Sequence, residues 1–179
     1  MNGVKLEFKD IEENKELLPQ SVYDYIVSQG LSKVIRVAKI DPAFADGEAL
    51  SREYDIPYEM ELNCLVVEGR RGEAVRYAGL VLPYGRRANM NSKVRGPLDV
   101  KKVSFADLEY VTKVSGMEYG SITPIGLPED FVILLEKEVL DQEQVIVGGG
   151  LACSKLLFDP KLFLNMKNCV IVEGLAKEE

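Results

Sequence analysis

The chain has 179 residues, of which 46% are hydrophobic and 28% are charged, and its formal net charge at pH 7 is −7. This length suits one hydrophobic core, since a chain of this size buries roughly 70% of the surface that it exposes when unfolded. The composition excludes intrinsic disorder, and the longest apolar runs are far too short to span a bilayer, so we expect a soluble protein.

The sequence contains no histidine and only three cysteines, Cys64, Cys153 and Cys169, without a CxxC spacing. Catalytic triads and Cys–His pairs need an imidazole, as do the usual histidine-containing metal sites, so these kinds of site are excluded. We expect neither a metal nor a cofactor. The charged N-terminal sequence lacks an apolar segment followed by a cleavage site, and the cysteines lie in apolar stretches. Reduced thiols and a cytoplasmic location are therefore expected.

The first half of the chain predicts helices around a long hairpin. Residues 14–29 have apolar side chains at near 3.6 spacing and Gly30 as a stop, with Pro19 in the first turn or dividing two helices. Asp46 is a suitable N-cap for a helix over 47–55 that Pro57 ends. The predicted strands are 32–40, 62–68 and 76–82, the last two pairing as a hairpin with a basic turn.

The second half predicts short elements around glycine-rich turns. The helix over 106–114 has Leu108, Val111 and Val114 at i, i+3 and i+6. The other predicted elements are helices over 89–95 and 160–166 and strands over 101–105, 131–135, 144–147, 152–158 and 169–172. Because strands and helices do not alternate regularly, we predict an α+β fold with a mixed, mostly antiparallel sheet and helices packed on it.

The segment from Ser115 to Pro128, SGMEYGSITPIGLP, contains three glycines and two prolines. Glycine allows a positive φ and close approach to a ligand, and proline fixes φ, so a rigid loop of fixed shape is predicted. Exposed N–H groups on such a loop can bind an anion or a developing oxyanion. A two-turn connection between strands explains the same composition.

SGMEYGSITPIG resembles the glycine-proline loop of the YbaK-like aminoacyl-tRNA deacylases, the family that includes the editing domain of bacterial prolyl-tRNA synthetases. LNCLVVEG from Leu62 and VIVGGGLACSKLLF from Val145 stand where that family would have them. The resemblance implies an α+β domain with a curved mixed sheet over residues 46–179, on which the N-terminal helix and strand of residues 1–45 pack.

The resemblance also implies a site. Gly120 and Ser121 would present backbone N–H groups to the ester carbonyl, and Gly148, Gly149 and Gly150 would line the opposite wall and admit the terminal adenosine.

Other residues of this site have open roles. Asn63 stands where the family commonly has a lysine, and an amide cannot supply that positive charge. Lys155 and Arg95 are the candidates to replace it, although either would equally serve as a surface charge. Glu118 could position water or a substrate amine, or pair with an arginine. Thr123, before Pro124, could contact substrate or cap the turn.

The segment from Arg70 to Lys102 contains nine basic and two acidic residues, a local balance of +7. This segregation is compatible with one basic face that contacts an RNA backbone, or with a solvated hairpin and helix.

The resemblance, taken together with the residues, implies two main hypotheses. The first is a deacylase acting in trans on mischarged tRNA, by backbone oxyanion stabilisation and substrate-assisted attack of water. The second is a catalytically silent binding module that recognises an aminoacyl or nucleotide end, or a protein partner. A phosphate-binding role for the GGG turn is weaker, because no GxGxxG or P-loop pattern opens a helix. The amino acid removed and the oligomeric state cannot be derived from the sequence.

Overall fold

A computed structural model describes residues 3–177, in which two main sheets are joined edge to edge. The first sheet has the order β1-β2-β9-β8 and is antiparallel throughout. Its strands are β1 (Lys9–Asp10), β2 (Arg36–Lys39), β8 (Val145–Gly148) and β9 (Ser154–Phe158).

The second sheet has the order β10-β7-β4-β3-β6. Its strands are β3 (Leu62–Arg71), β4 (Ala74–Pro83), β6 (Lys102–Phe105), β7 (Val132–Glu136) and β10 (Cys169–Val172). Strand β7 runs parallel to both of its neighbours, and the remaining ladders are antiparallel. A small antiparallel pair, β5 (Arg87–Ala88) and β11 (Ala176–Lys177), lies beside it. The predicted mixed, mostly antiparallel α+β fold is confirmed.

The two main sheets meet at Glu61. A parallel bridge pairs Glu61 with Ile146 of β8, and the Ile146 N–H donates to the Met60 carbonyl over 2.7 Å. The predicted hairpin is confirmed and is longer than expected, because β3 and β4 pair from Leu62↔Pro83 to Arg71↔Ala74. The chain at the start of β3 therefore pairs with β4 of its own sheet and, through residues 60 and 61, with β8 of the other sheet.

The helices are short. They are α1 (Gln20–Ser28), α2 (Gly47–Tyr54), α3 (Arg95–Leu98) and α4 (Leu108–Ser115), with a π turn at Met90–Val94 and 3₁₀ helices at Lys15–Leu17, Pro42–Phe44, Lys137–Asp141 and Pro160–Asn165. Pro19 divides the predicted helix over 14–29, since a proline cannot donate within a helix. The segment predicted as a helix over 160–166 is a 3₁₀ helix. No helix in residues 3–177 combines the length and apolar composition needed to cross a bilayer.

Two expectations about helix details were wrong. Asp46 occupies the N-cap position of α2, but its side chain accepts no capping hydrogen bond. Other aspartates do cap helices: Asp107 accepts from the Tyr110 N–H at the start of α4 over 2.8 Å, and Asp41 and Asp159 cap the 3₁₀ helices that follow them. Of the apolar positions of α4, Val111 is buried whereas Leu108 is 45% exposed and Val114 is 40% exposed.

The main core packs α1 and the 3₁₀ helix Lys15–Leu17 against both sheets. Val22 and Ile26 of α1 are fully buried with Val147 of β8 and Phe158 of β9. A second core, which includes Val67, Leu80 and Leu134, fills the other face of the second sheet. Burial of each such side chain contributes about 1.5–3 kcal/mol. This packing fixes the positions of β3, β8 and β9, which carry the site.

Candidate active site

A cleft of about 800 Å³ opens where the two sheets meet. It is lined by residues 62–66 of β3, by the loop that follows α4, by the β8–β9 turn and by the beginning of α2. Phe105 and Leu108, whose side chains are 64% and 45% exposed, also line it. The exposure of Leu108 thus has a structural reason, because this side chain faces a cleft rather than the core.

The glycine-proline loop and the GGG turn form one unit held by main-chain hydrogen bonds. The Gly150 N–H donates to the Ser121 carbonyl over 2.9 Å, and the Glu118 N–H donates to the Gly150 carbonyl over 2.8 Å. A Cβ atom on Gly148 would lie 2.6 Å from the Ser121 carbonyl oxygen, a contact that side chains essentially never make. The sequence motifs are therefore adjacent in space, and glycine at 148 is required by this close approach.

Of the backbone amides around residue 120, some are free and others are engaged. The N–H groups of Gly120 and Ile122 donate no hydrogen bond within residues 3–177, and both residues line the cleft. Gly120 has a φ of +76°, which favours glycine. The Ser121 N–H, in contrast, donates to the Glu118 carbonyl over 3.1 Å. The expected Ser121 donor is therefore occupied, and Ile122 is the amide that sequence reasoning missed.

Three further residues of the loop, Glu118, Thr123 and Pro124, have contacts or burial that shape it. The Glu118 carboxylate accepts from the Ala152 N–H over 2.6 Å and so holds the β8–β9 turn. Thr123 is fully buried, and its Oγ1 accepts from the Ile125 N–H over 3.4 Å, which is the turn role. Pro124 is buried and does not line the cleft.

Two other glycines are also structural. The Gly149 N–H donates to the Ser154 carbonyl over 3.1 Å. Gly150 has a φ of +89°, and a Cβ there would meet the Pro19 ring at 2.6 Å. Of the GGG turn, only Gly148 lines the cleft.

Asn63 and Lys155 both line the cleft. Asn63 lies on β3, and Lys155 lies on β9 as the cross-strand partner of Gly148. Arg95 lies elsewhere, exposed on α3, where it donates to Asn91 Oδ1 over 2.9 Å. Of the two cations considered as replacements for a lysine at position 63, the structure brings only Lys155 to the site.

A buried ion pair is the feature of the cleft that sequence reasoning missed. Glu61 is 2% exposed and Lys155 is 6% exposed, and Glu61 Oε1 lies 3.8 Å from Lys155 Nζ. Burial raises the pKa of Glu61 to about 7, and burial lowers the pKa of Lys155 from its usual value. The sequence did contain a signal for this pair. Glu61 directly precedes the apolar strand β3 and Lys155 lies within the apolar strand β9, and a charge that is buried in such a strand usually has a partner of opposite charge.

Cys64 also lines the cleft. Burial raises the pKa of its thiol to about 12, so the thiolate that a nucleophile requires is not formed at neutral pH. This agrees with the exclusion of cysteine catalysis on the absence of histidine.

The basic segment from Arg70 to Lys102 is partly neutralised by ion pairs. Arg71 and Arg76 both contact the Asp99 carboxylate, at 2.7 and 3.1 Å, and Arg86 lies 3.7 Å from Glu138. Arg70 pairs with Glu68. Part of the local positive charge is therefore balanced within the described chain.

A second cleft of about 640 Å³ adjoins the first, and Asn63 and Tyr84 line both. The rings of Tyr58 and Tyr84 meet edge to face there, with centroids 5.0 Å apart. Asn63 thus lines both clefts.

Solved structures of similar fold share little sequence with this chain. Hypothetical protein APE2540 has a TM-score of 0.76 and 20% identity, and the match covers 88% of this chain and 100% of that one. A proposed trans-editing enzyme for prolyl-tRNA synthetase has a TM-score of 0.74 and 16% identity, covering 89% and 96%. A proposed signal transduction protein from Marinobacter aquaeolei has a TM-score of 0.61 and 11% identity, and 31% of that chain is covered.

A comparison with curated protein sequences gives no match. The sequence description of the aminoacyl-tRNA editing domain, in contrast, matches residues 41–164, which is more than half of the chain and includes β3, the glycine-proline loop and the GGG turn. The chain therefore belongs to the aminoacyl-tRNA editing domain family.

Proposed function

We propose that this protein is an aminoacyl-tRNA deacylase that acts in trans in the cytoplasm and hydrolyses the ester between a mischarged amino acid and the 3′-terminal ribose of tRNA. The observation that carries this proposal is the free N–H of Gly120, at positive φ, in a cleft that Asn63, Gly148 and Lys155 also line. Membership of the editing-domain family supports the same reaction class.

The chemistry follows from the groups that line the cleft. Water attacks the ester carbonyl carbon, and the carbonyl oxygen becomes an oxyanion that accepts from the Gly120 N–H, with Ile122 as a second donor. One such preorganised donor contributes roughly 3–4 kcal/mol to the transition state. The neighbouring ribose hydroxyl relays the proton of the attacking water to the departing ribose oxygen. The ester C–O bond then breaks and releases the amino acid and the tRNA 3′ end.

The two polar side chains have different parts in this proposal. Lys155 supplies positive charge near the developing oxyanion, and Asn63 orients the substrate by hydrogen bonding but adds no charge. Because Asn63 also lines the adjoining cleft, it is suited to contact the ribose between an aminoacyl group on one side and the terminal adenosine on the other. The basic segment from Arg70 to Lys102 would contact the tRNA backbone.

The experiment is hydrolysis of a panel of aminoacyl-tRNAs by the purified protein. We expect at least one member to be deacylated faster than it decays spontaneously. Gly120→Ala should lower that rate at least about tenfold, because a side chain at this φ costs about 1–2 kcal/mol and displaces the amide. Gly30→Ala, at an open position outside the cleft with a similar positive φ of +68°, is the matched control and should not change it. Rates at the spontaneous level across the whole panel would reject catalysis.

A catalytically silent binding module is the second candidate, and the observation that favours it is Asn63 in place of the lysine that the family commonly has. Binding of an aminoacyl-adenosine analogue without turnover of any panel member would support it. Turnover gained by Asn63→Lys would then show that the missing positive charge was the cause.

A further inference from the structure

The carboxylate of Glu61 has one oxygen without a partner. Glu61 Oε2 is buried and has no hydrogen-bond partner in the described part of the chain, while Oε1 lies 3.8 Å from Lys155 Nζ, beyond hydrogen-bond distance. Buried polar atoms are nearly always hydrogen-bonded, and leaving one unpaired is costly. Because Glu61 lines the cleft, the missing donor can come from a bound ligand.

The charge around Glu61 favours a cationic donor. Lys155 from β9 faces the Glu61 carboxylate, Asp46 at the start of α2 adds a second negative charge nearby, and the Tyr84 hydroxyl is the other titratable group close to it. Two carboxylates and one ammonium leave this end of the cleft with net negative charge. An incoming ammonium is attracted to such a site, whereas a neutral amide gains much less.

This end of the cleft is also next to the loop that would bind the ester carbonyl. Lys155 pairs across the ladder with Gly148, and Gly148 packs directly against the main chain of Ser121 and Ile122. The Glu61 carboxylate, Lys155, Gly148 and the free amides of the loop are therefore consecutive neighbours. In an aminoacyl ester, a single carbon atom separates the α-ammonium group from the carbonyl carbon, so a ligand whose carbonyl is bound by the loop carries its ammonium group in the same cleft that Glu61 lines.

We propose that Glu61 binds the α-ammonium group of the aminoacyl ester, so that the protein selects esters of amino acids with a free amino group over N-acylated or peptidyl esters. This inference rests on the proposed function for the chemical class of the ligand. It makes Glu61 a specificity-determining residue, with Lys155 holding its carboxylate in place.

The test uses a probe that cannot be hydrolysed. Isothermal titration calorimetry at pH 7.5 compares 3′-(L-alanylamino)-3′-deoxyadenosine, an amide analogue of the charged 3′ end, with its N-acetyl form. We expect the wild-type protein to bind the free amine about 10- to 100-fold more tightly, as befits a charge-assisted hydrogen bond. Glu61→Gln should reduce this preference to about threefold or less. Glu173→Gln, which removes an exposed carboxylate that pairs with Lys137 outside the cleft, should keep the full preference.

The pH dependence tests the same contact in the wild-type protein, which guards against a Glu61→Gln variant that fails to fold. The ligand ammonium becomes more fully protonated as the pH falls from 7.5 to 6.0, so the ligand alone would strengthen the preference. Protonation of Glu61, whose pKa is about 7, acts in the opposite direction. A preference that weakens toward pH 6.0 supports the proposal. Equal affinities for the two probes, a preference that Glu61→Gln leaves intact, or one that strengthens at pH 6.0 overturns it.

The outcomes separate this inference from the proposed function. A preference for the free amine in a protein that hydrolyses no panel member would support Glu61 as the ammonium site and reject only catalysis. Hydrolysis of panel members without any preference would support the deacylase and overturn the role of Glu61. Binding of neither probe overturns the inference, and the panel alone then decides the activity.

Discussion

The buried pair of Glu61 and Lys155 predicts an unusual dependence of stability on pH. The pKa of Glu61 is raised from 4.5 to about 7, so between these values the folded protein binds a proton that the unfolded chain has released. The stabilisation that this proton uptake gives to the folded state is therefore fully present below pH 4.5, and it is lost as the pH rises through 7 and Glu61 becomes charged. The pKa of Lys155 is lowered, so its contribution changes in the opposite direction, and stability recovers as the pH rises toward 10.5.

The magnitude for Glu61 follows from the two pKa values. One pKa unit corresponds to 1.36 kcal/mol, so the difference between 4.5 and about 7 corresponds to about 3 kcal/mol of unfolding free energy. The double variant Glu61→Gln/Lys155→Met removes both charges with little change of volume and is the reference. We expect the unfolding free energy of the wild type, minus that of this variant, to fall by about 2–3 kcal/mol between pH 5 and pH 8.

Urea denaturation followed by circular dichroism at pH 5, 6, 7 and 8 measures this difference. The variant Glu173→Gln, which removes an exposed carboxylate far from the pair, should follow the wild type at every pH. A difference between wild type and double variant that stays constant from pH 5 to 8 would refute the reasoning. A difference that grows in favour of the wild type would also refute it, since the raised pKa of Glu61 acts in the opposite direction.

Three further predictions concern the loop and the cleft. Gly148→Ala should lower the unfolding free energy by about 1–3 kcal/mol and reduce deacylation, because its Cβ would meet the Ser121 carbonyl oxygen at 2.6 Å. Gly96→Ala, in open space, should not lower the unfolding free energy, so equal melting temperatures for the two variants would contradict this. Glu118→Gln should reduce deacylation about tenfold, with little loss of stability, because it weakens the hydrogen bond from the Ala152 N–H that holds the β8–β9 turn. An unchanged rate in single-turnover assays would show that the turn does not need this hydrogen bond. Cys64→Ser should retain most of the activity, because the pKa of the Cys64 thiol is about 12 and no thiolate is available for catalysis. For the same reason Cys64 of the wild type should react slowly with iodoacetamide at pH 7.5, and fast labelling would indicate an accessible thiolate.

Local sequence signals predicted most of the elements. Apolar runs separated by a glycine-containing basic turn predicted the hairpin of β3 and β4, and 3.6 spacing predicted α1 and α4. These signals succeed because hairpin and helix contacts connect residues close in the chain. They failed where side chains had a choice of partner, as for Asp46, which caps nothing, and Leu108, which lines the cleft.

The candidate site was predicted in part. The glycine-proline loop, the GGG turn, Asn63 and Lys155 were each singled out, and the structure brings Gly120, Gly148, Asn63 and Lys155 to one cleft. The sequence could not show which N–H groups of the loop are free. Every residue of the loop other than proline has a backbone N–H, and only the folded loop shows that the Ser121 N–H donates to the Glu118 carbonyl whereas the Ile122 N–H makes no hydrogen bond in the described residues. It also left the roles of Thr123 and Glu118 open, and the structure adds that they accept from the Ile125 and Ala152 N–H groups, respectively.

The sequence by itself determined the class of fold, the absence of histidine chemistry and the two glycine-rich motifs, since these depend on residue types and short spacings. Only the tertiary structure decided that Glu61 and Lys155 face one another in the cleft, because they lie 94 positions apart in the sequence and the bridge between two sheets brings them together. Pairing at that distance is set by how the whole core packs, and burial then gives both charges the perturbed pKa values that no local pattern encodes.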